Sequence, residues 1–282
     1  MTSSATTFAR DEWCAEDLDP AAYAHRLGLE RTWPTAPTDD ALHAVHRAHA
    51  VAIPFDNLDF VTGVPVSLDP GAVTAKLCGP RGGCCHEHNL LLGWALEQLG
   101  FEVERLAARV LFGGTGPRPR THMLLRVRRA NTVWLCDVGF GTHGFLDPLP
   151  FADGVIARQD EHTFRVRAHT GALWAVEVHH ERGWTPLYEF TLDPLQPPDV
   201  VVAHHFLATH PDSMLRKTPL LQRISPGRRI QMRGRELTER RGADRRTRGV
   251  TPASLTDDLA AFGIRLSADQ HADLVDLLFA TP

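Results

Sequence analysis

The sequence predicts an α+β protein, and three observations predict it. Apolar residues recur at helical spacing in the first hundred residues, the period turns strand-like over 101–188, and a mixed segment closes the chain. With 282 residues, 43% hydrophobic and 23% charged, the chain can fill a core and falls outside the disordered, fibrous and collagen-like classes. Its length alone suggests about two domains.

Residues 20–50 carry helical spacing, as in Ala41, Leu42, Val45 and Ala48, with Pro20 and Asp39 where helices begin. Pro54, Gly63, Pro65, Pro70 and Gly71 punctuate the next stretch, and PRGG (80–83) makes a tight, exposed turn. Leu91, Leu92, Ala95, Leu96 and Leu99 then form the best helical pattern in the chain, stopped by Gly100. Cys84 and Cys85 therefore sit at or beside a helix N-terminus. Six strand-like segments follow: 101–112, 122–129, 132–141, 163–169, 173–180 and 185–192. So many short strands in under a hundred residues suggest an antiparallel sheet or barrel. Residues 192–199 read as a proline-rich connector, 227–242 as a hairpin, and 252–262 and 268–279 as helices.

Several function classes are excluded at this level. No apolar run approaches the ~18 residues that span a bilayer, since Gly93, Glu97 and Gln98 interrupt the longest candidate, so no membrane span is expected. The net charge of −4 argues against a nucleic-acid partner. The first residues, MTSSATTFARDEWC, lack a basic start followed by an apolar stretch, which points to the cytoplasm. Five cysteines, odd in number with two adjacent, read as thiols and not as a disulfide framework.

Nucleophilic cysteine chemistry needs a thiolate, which a helix N-terminus and a neighbouring imidazole favour. Cys85 has the first of these, Gly82 and Gly83 would let backbone approach a substrate, and N–H groups at the helix start are candidate oxyanion donors. Taken alone, Cys85 reads equally as a buried thiol beside a structural turn. A candidate base comes from a hairpin: the midpoint of positions 122 and 137 is 129.5, inside the polar turn 129–131. A two- or four-residue loop centred there sets His122 directly opposite Asp137, on one face of the sheet. A carboxylate beside an imidazole fixes its tautomer and stabilises its charged form.

RGGCCHEHN (81–89) resembles the signature of the arylamine N-acetyltransferase family, in which Arg-Gly-Gly, a variable residue and the catalytic Cys precede Glu and Asn. IPFDNLD (53–59), RTHMLLRV (120–127), WLCDVGFG (134–141) and THPDS (209–213) agree in the family's order, the likeness weakening after about residue 215. The resemblance implies Cys85 as nucleophile, His122 as base and Asp137 as orienter, a papain/transglutaminase-like Cys-His-Asp core. It implies a helical bundle, an antiparallel β-barrel and a C-terminal α/β lid, divided here as 1–90, 91–195 and 196–282. It implies acetyl-CoA as co-substrate, with contacts at Arg120, Thr121, Gly141, Thr209 and Ser213, an arylamine or hydrazine acceptor, and acceptor-pocket walls at Phe55 and Phe140. Two departures stand out: Cys84 at the variable position leaves adjacent thiols, and Asp56 stands where the family commonly shows Glu. The second is expected to touch packing and not chemistry.

Cys84, Cys85, His86 and His88 match no standard zinc-ligand spacing, and a helix points adjacent residues apart, so no metal is expected. Between residues 216 and 248, twelve Lys and Arg face only Glu236, Glu239 and Asp244. Most of that excess reads as solvated surface, with some of it, or Arg118 and Arg120, available to coenzyme A phosphates. Trp94 and Trp174 read as core. The leading expectation is ping-pong acyl transfer through Cys85. The alternatives are an amide synthase releasing a polyketide from an acyl carrier protein, a Cys-His-Asp hydrolase, and a binding module that keeps only the fold.

Overall fold

The computed structural model describes residues 13–114, 116–180 and 183–280. The segment MTSSATTFARDE, part of the stretch read for a leader pattern, lies outside them. Helix α1 (Pro20–Leu27) begins where Asp19 accepts the N–H groups of Ala21 and Ala22, and it ends at Gly28 with φ 70°. Helix α2 (Asp39–Ala52) is capped by Thr38 and buries Leu42, Val45, His46 and His49 on one face. A two-residue strand β1 (Phe55–Asp56) and helices α3 (Leu58–Thr62) and α4 (Pro70–Leu77) lead to α5 (Cys85–Gln98). Residues 85–96 of α5 are all buried, so this helix is the axis on which the other elements pack. Gly100, at φ 92°, turns the chain out of it.

The strand-like region forms one antiparallel sheet. Its strands are β2 (Glu102–Val110), β3 (His122–Arg129), β4 (Thr132–Cys136), β5 (Leu149–Pro150), β6 (Ile156–Gln159), β7 (His162–Ala168), β8 (Trp174–His180) and β9 (Gly183–Pro194), in the order β5-β4-β3-β2-β9-β8-β7-β6. The six expected strands are present, and the two additions, β5 and β6, are edge strands too short to show alternation. The sheet curls into a nearly closed barrel. Gln159 of β6 reaches the chain before β5, accepting from the N–H of Leu146 at 2.9 Å and donating to the Asp147 carbonyl at 2.7 Å. Strand β3 is buried on both faces: Leu124 points into the barrel with Phe145, Phe164, Val176 and Phe190, while Met123, Leu125 and Val127 pack with the helices. Hence its continuous apolar run.

The β3–β4 hairpin corrects the expected register. Arg129 pairs with Thr132 and Leu125 with Cys136, so the loop is the two residues Ala130 and Asn131. Its centre lies one residue further along than the midpoint of His122 and Asp137, because Ala130 takes a left-handed conformation, φ 48°, at the corner. Extended past Cys136, this register sets Leu124 opposite Asp137. His122 is then Asp137's diagonal neighbour on the same face, not its direct partner.

The segment 192–199 is not a connector throughout. Asp193 and Pro194 end β9, and Pro197 and Pro198 open helix α6 (Pro197–Thr209), where a proline's missing N–H costs nothing. After α7 (Met214–Lys217), strands β10 (Leu220–Ser225), β11 (Arg228–Arg233), β12 (Glu236–Arg241) and β13 (Asp244–Gly249) make a second antiparallel sheet in the order β1-β10-β11-β12-β13. The expected hairpin is its centre. Helices α8 (Leu255–Phe262) and α9 (Ala268–Phe279) supply Leu255, Leu259, Phe262 and Leu274 to that sheet's core. Buried Arg229 ties the second sheet to the barrel, donating to the Thr142 carbonyl at 2.6 Å and pairing with Glu161 at 3.3 Å. Among the described residues no helix is long and apolar enough to cross a membrane.

Candidate active site

The turn before α5 is held by buried charge. Arg81 pairs with Asp56 at 3.0 Å and Asp59 at 2.8 Å, while Lys76 pairs with Asp59 at 2.6 Å and Glu87 at 2.7 Å. Burial raises the Asp56 carboxyl, but the Arg81 and Lys76 charges outweigh it and hold it below the usual range. Asp56 also accepts the Gly82 N–H at 2.9 Å, and Glu87 accepts the Cys84 N–H at 2.9 Å. The aspartate at position 56 thus shapes the turn. The glycines serve this packing: a Cβ on Gly82 would lie 1.9 Å from the Pro54 carbonyl oxygen, and one on Gly83 2.7 Å from a Glu87 carboxylate oxygen. The close approach they permit is to the protein's own groups, where the sequence suggested a substrate.

Cys85 is the first residue of α5 and Cys84 its N-cap. Cys85 is 5% exposed and its Sγ donates to the Thr121 carbonyl at 3.8 Å. Cys84 is 1% exposed, and burial pushes its thiol well above the ordinary value, so it remains protonated. Phe55 packs beside both cysteines with Phe60 and Leu207.

His122 opens β3 and Asp137 follows the end of β4; His122 Nε2 and Asp137 Oδ2 are 2.7 Å apart and both residues are buried. Burial raises the Asp137 carboxyl, but the His122 charge and hydrogen bonds from His122, Asn89 and the Gly139 N–H bring it below the usual range. Asn89, one turn along α5 from Cys85, donates to Asp137 Oδ1 at 3.1 Å and to the Met123 carbonyl at 2.7 Å, and accepts the Val138 N–H at 3.2 Å. One side chain therefore locks the Cys85 helix to both strands. Gly139 allows that contact, since a Cβ there would lie 2.7 Å from Cys85 Cα. Phe140 and Tyr188 wall the imidazole, with ring centroids 5.2 Å and 5.1 Å from it.

Sequence reasoning missed His46. Its Nε2 accepts the Asp137 backbone N–H at 3.2 Å, and its Nδ1 faces the Leu146 carbonyl at 3.1 Å. It is therefore neutral with the proton on Nδ1, and burial lowers its pKa to about 4. The available signal was a histidine on the apolar stripe of α2, which reads as core.

Thr121 lends its carbonyl to Cys85, and exposed Arg120 donates to Thr191 Oγ1 at 3.3 Å. Gly141, at φ 73°, packs against the Gln222 amide. Thr209 ends α6 with its hydroxyl on the His205 carbonyl, and buried Ser213 donates to the Leu207 carbonyl at 2.7 Å. Of the basic stretch, Arg228 and Arg241 pair with Glu239 and Arg248 with Asp258, while β13 is exposed along its length. The arrangement offers a shielded thiol at a helix start, on the carbonyl of the residue before His122, and an imidazole with one nitrogen anchored to a carboxylate.

The model of the N-acetyltransferase family matches residues 39–271. An arylamine N-acetyltransferase of Mycolicibacterium smegmatis is 37% identical over 259 residues, covering 88% of this chain and 93% of the relative. The solved arylamine N-acetyltransferase of Mycobacterium abscessus superposes with TM-score 0.89 at 36% identity, over 95% of this chain and 98% of that one. The Mycobacterium marinum arylamine N-acetyltransferase, solved in complex with CoA, superposes with TM-score 0.85 at 30% identity, over 93% and 100% of the two chains.

Proposed function

The chain belongs to the arylamine N-acetyltransferase family, and from that premise we propose that it carries an acetyl group from coenzyme A to an arylamine or hydrazine by way of a thioester on Cys85. The observation that carries this reading is the buried 2.7 Å contact between His122 and Asp137, joined through Asn89 to the helix that begins at Cys85.

The Cys85 thiol gives its proton to the His122 nitrogen that does not face Asp137, and the thiolate attacks the acetyl carbon of the CoA thioester. N–H groups in the first turn of α5, which lack acceptors within the helix, stabilise the tetrahedral oxyanion. The C–S bond to CoA breaks, and the CoA sulfur takes the proton from His122. In the second half the amine nitrogen attacks acetyl-Cys85, passes its proton through His122, and leaves the product amide and the Cys85 thiol. Asp137 holds the imidazole in the required tautomer and favours its charged form. Phe140 and Phe55 are the aromatic surfaces for the acceptor ring, and Arg120, Thr121, Gly141, Thr209 and Ser213 the contacts for coenzyme A. No metal enters the scheme. A cytoplasmic location suits the unbridged Cys78, Cys84, Cys85 and Cys136.

Steady-state kinetics with acetyl-CoA and an arylamine test the proposal. Parallel double-reciprocal lines and an N-acetylated amine are expected, whereas CoA release with free acetate and no amide would indicate a hydrolase.

A further inference from the structure

Beside the first turn of α5, three buried side chains that take no part in the acyl-transfer scheme converge. They are Cys84 at the N-cap, His86 two residues on, and His204 from α6, and their donor atoms all lie within 4.8 Å of one another. The two Nδ1 atoms are 3.3 Å apart, and Cys84 Sγ is 4.0 Å from His204 Nδ1. Zn–N bonds of about 2.0–2.1 Å and a Zn–S bond of about 2.3 Å in a tetrahedron separate two nitrogens by about 3.3 Å and a sulfur from a nitrogen by about 3.6 Å. The nitrogens already stand at the spacing of a zinc ligand set, and the sulfur is a few tenths of an ångström too far from His204 Nδ1 and within 4.8 Å of the His86 donor, so the Cys84 side chain closes in as the ion binds. The Cys84 and Cys85 side chains share one buried cluster, and an N-cap and a second helical residue can both face a third ligand that arrives 118 positions after His86.

Two further features suit an ion. The His86 ring lies against the Thr121 backbone, a polar neighbour of the kind that supports metal-bound imidazoles. His204 Nε2 is buried without a hydrogen-bond partner, and His204 lines a cleft of about 390 Å³ walled by Phe60, Val66, Val201 and Ala208. That cleft brings solvent to the His204 side of the cluster.

We propose that Cys84, His86 and His204 form a binding site for one zinc-type transition-metal ion, separate from the nucleophile Cys85. On binding, the Cys84 S–H releases its proton to solvent and the sulfur bonds to the ion with the two Nδ1 lone pairs. The His204 proton then resides on Nε2, and water from the cleft takes the fourth position. Thiolate and imidazole donors select zinc-like ions over magnesium or calcium. The bound ion clamps α6 to the start of α5.

Cobalt(II) is the probe, added to the reduced full-length protein. We expect a thiolate-to-cobalt charge-transfer band that saturates at one ion per chain and disappears when Zn²⁺ displaces the cobalt. Cys85→Ala should keep the band, Cys84→Ala and Cys84→Ser should abolish it, and His204→Ala should weaken cobalt binding at least tenfold. Zn²⁺ should raise the melting temperature of the wild type and of Cys85→Ala but not of Cys84→Ser. Absence of the band from the wild-type protein, or a band that survives Cys84→Ser and vanishes in Cys85→Ala, would overturn the proposal.

Discussion

Asp137 is held from every side: its carboxylate meets the His122 ring, the Asn89 amide and the Gly139 N–H, and its own N–H is bound by His46. Asp137→Asn keeps the size but removes the charge and presents an amide that can reverse the imidazole tautomer. Acylation should fall by about 10³–10⁴-fold in stopped-flow measurements, with an unchanged circular dichroism spectrum. Asp147→Asn is the control, because the Asp147 carboxylate pairs with Arg47 and its loss should leave acylation nearly intact. Asp59 is a poorer control, since it joins the ion pairs that hold the Arg81 turn. At this scale the motif singled out Cys85, His122 and Asp137, each in a short segment of distinctive composition, and the structure brings His122 and Asp137 into contact. His46 was not legible. A histidine spaced with Leu42 and Val45 looks like core from the sequence, and its partner is a backbone N–H ninety-one residues away.

At the scale of elements, the site depends on how closely the loop after β4 approaches the start of α5. Gly139→Ala puts a Cβ 2.7 Å from Cys85 Cα and 2.9 Å from the Asn89 amide nitrogen, so the loop must move. A shift of that order should lower acylation about a hundredfold, with a stability loss of about 1–3 kcal/mol in urea unfolding. Gly28→Ala has open space around it and a positive φ, so it should cost about 1 kcal/mol and leave acylation unchanged. The hairpin shows where sequence arithmetic stops. Two-residue periodicity correctly put His122 and Asp137 on one face, but the offset along the strands depended on where Ala130 turned, which composition does not specify. Helix α6 was hidden for a related reason: Pro197 and Pro198 read as a connector, although their positions are also those that open a helix.

Across the whole molecule, the helical layer carries a buried relay. The Tyr23 hydroxyl donates to His49 Nδ1 at 2.5 Å, His49 Nε2 donates to His88 Nδ1 at 2.8 Å, and His88 Nε2 donates to the Pro54 carbonyl at 3.1 Å. This direction of donation requires neutral rings. Burial lowers His88, like His46, to about 4, and drives His49 and His86 well below their ordinary value. In the unfolded chain these histidines take up protons near pH 6.5, which folded His46 and His88 refuse until about pH 4 and folded His49 and His86 also resist. The unfolded state therefore binds more protons in that window, and stability falls as pH falls. Between pH 7.5 and 5.5 the loss should be about 1 kcal/mol per histidine. Urea midpoints at the two pH values check this, and equal midpoints would mean that these rings are not buried neutral. Such long-range burial is invisible to local patterning, whereas the change of period from helix to strand was plain. The central claim is that Cys85, and not its neighbour, carries the acyl group between donor and acceptor. Intact-mass and peptide-mapping spectra taken after mixing with acetyl-CoA in the absence of amine test it most directly. One acetyl group on Cys85, kept in Cys84→Ala, lost in Cys85→Ala and discharged by an arylamine, is the expected result. Acetylation that maps to Cys84, or none at all on the folded wild-type protein, would contradict it.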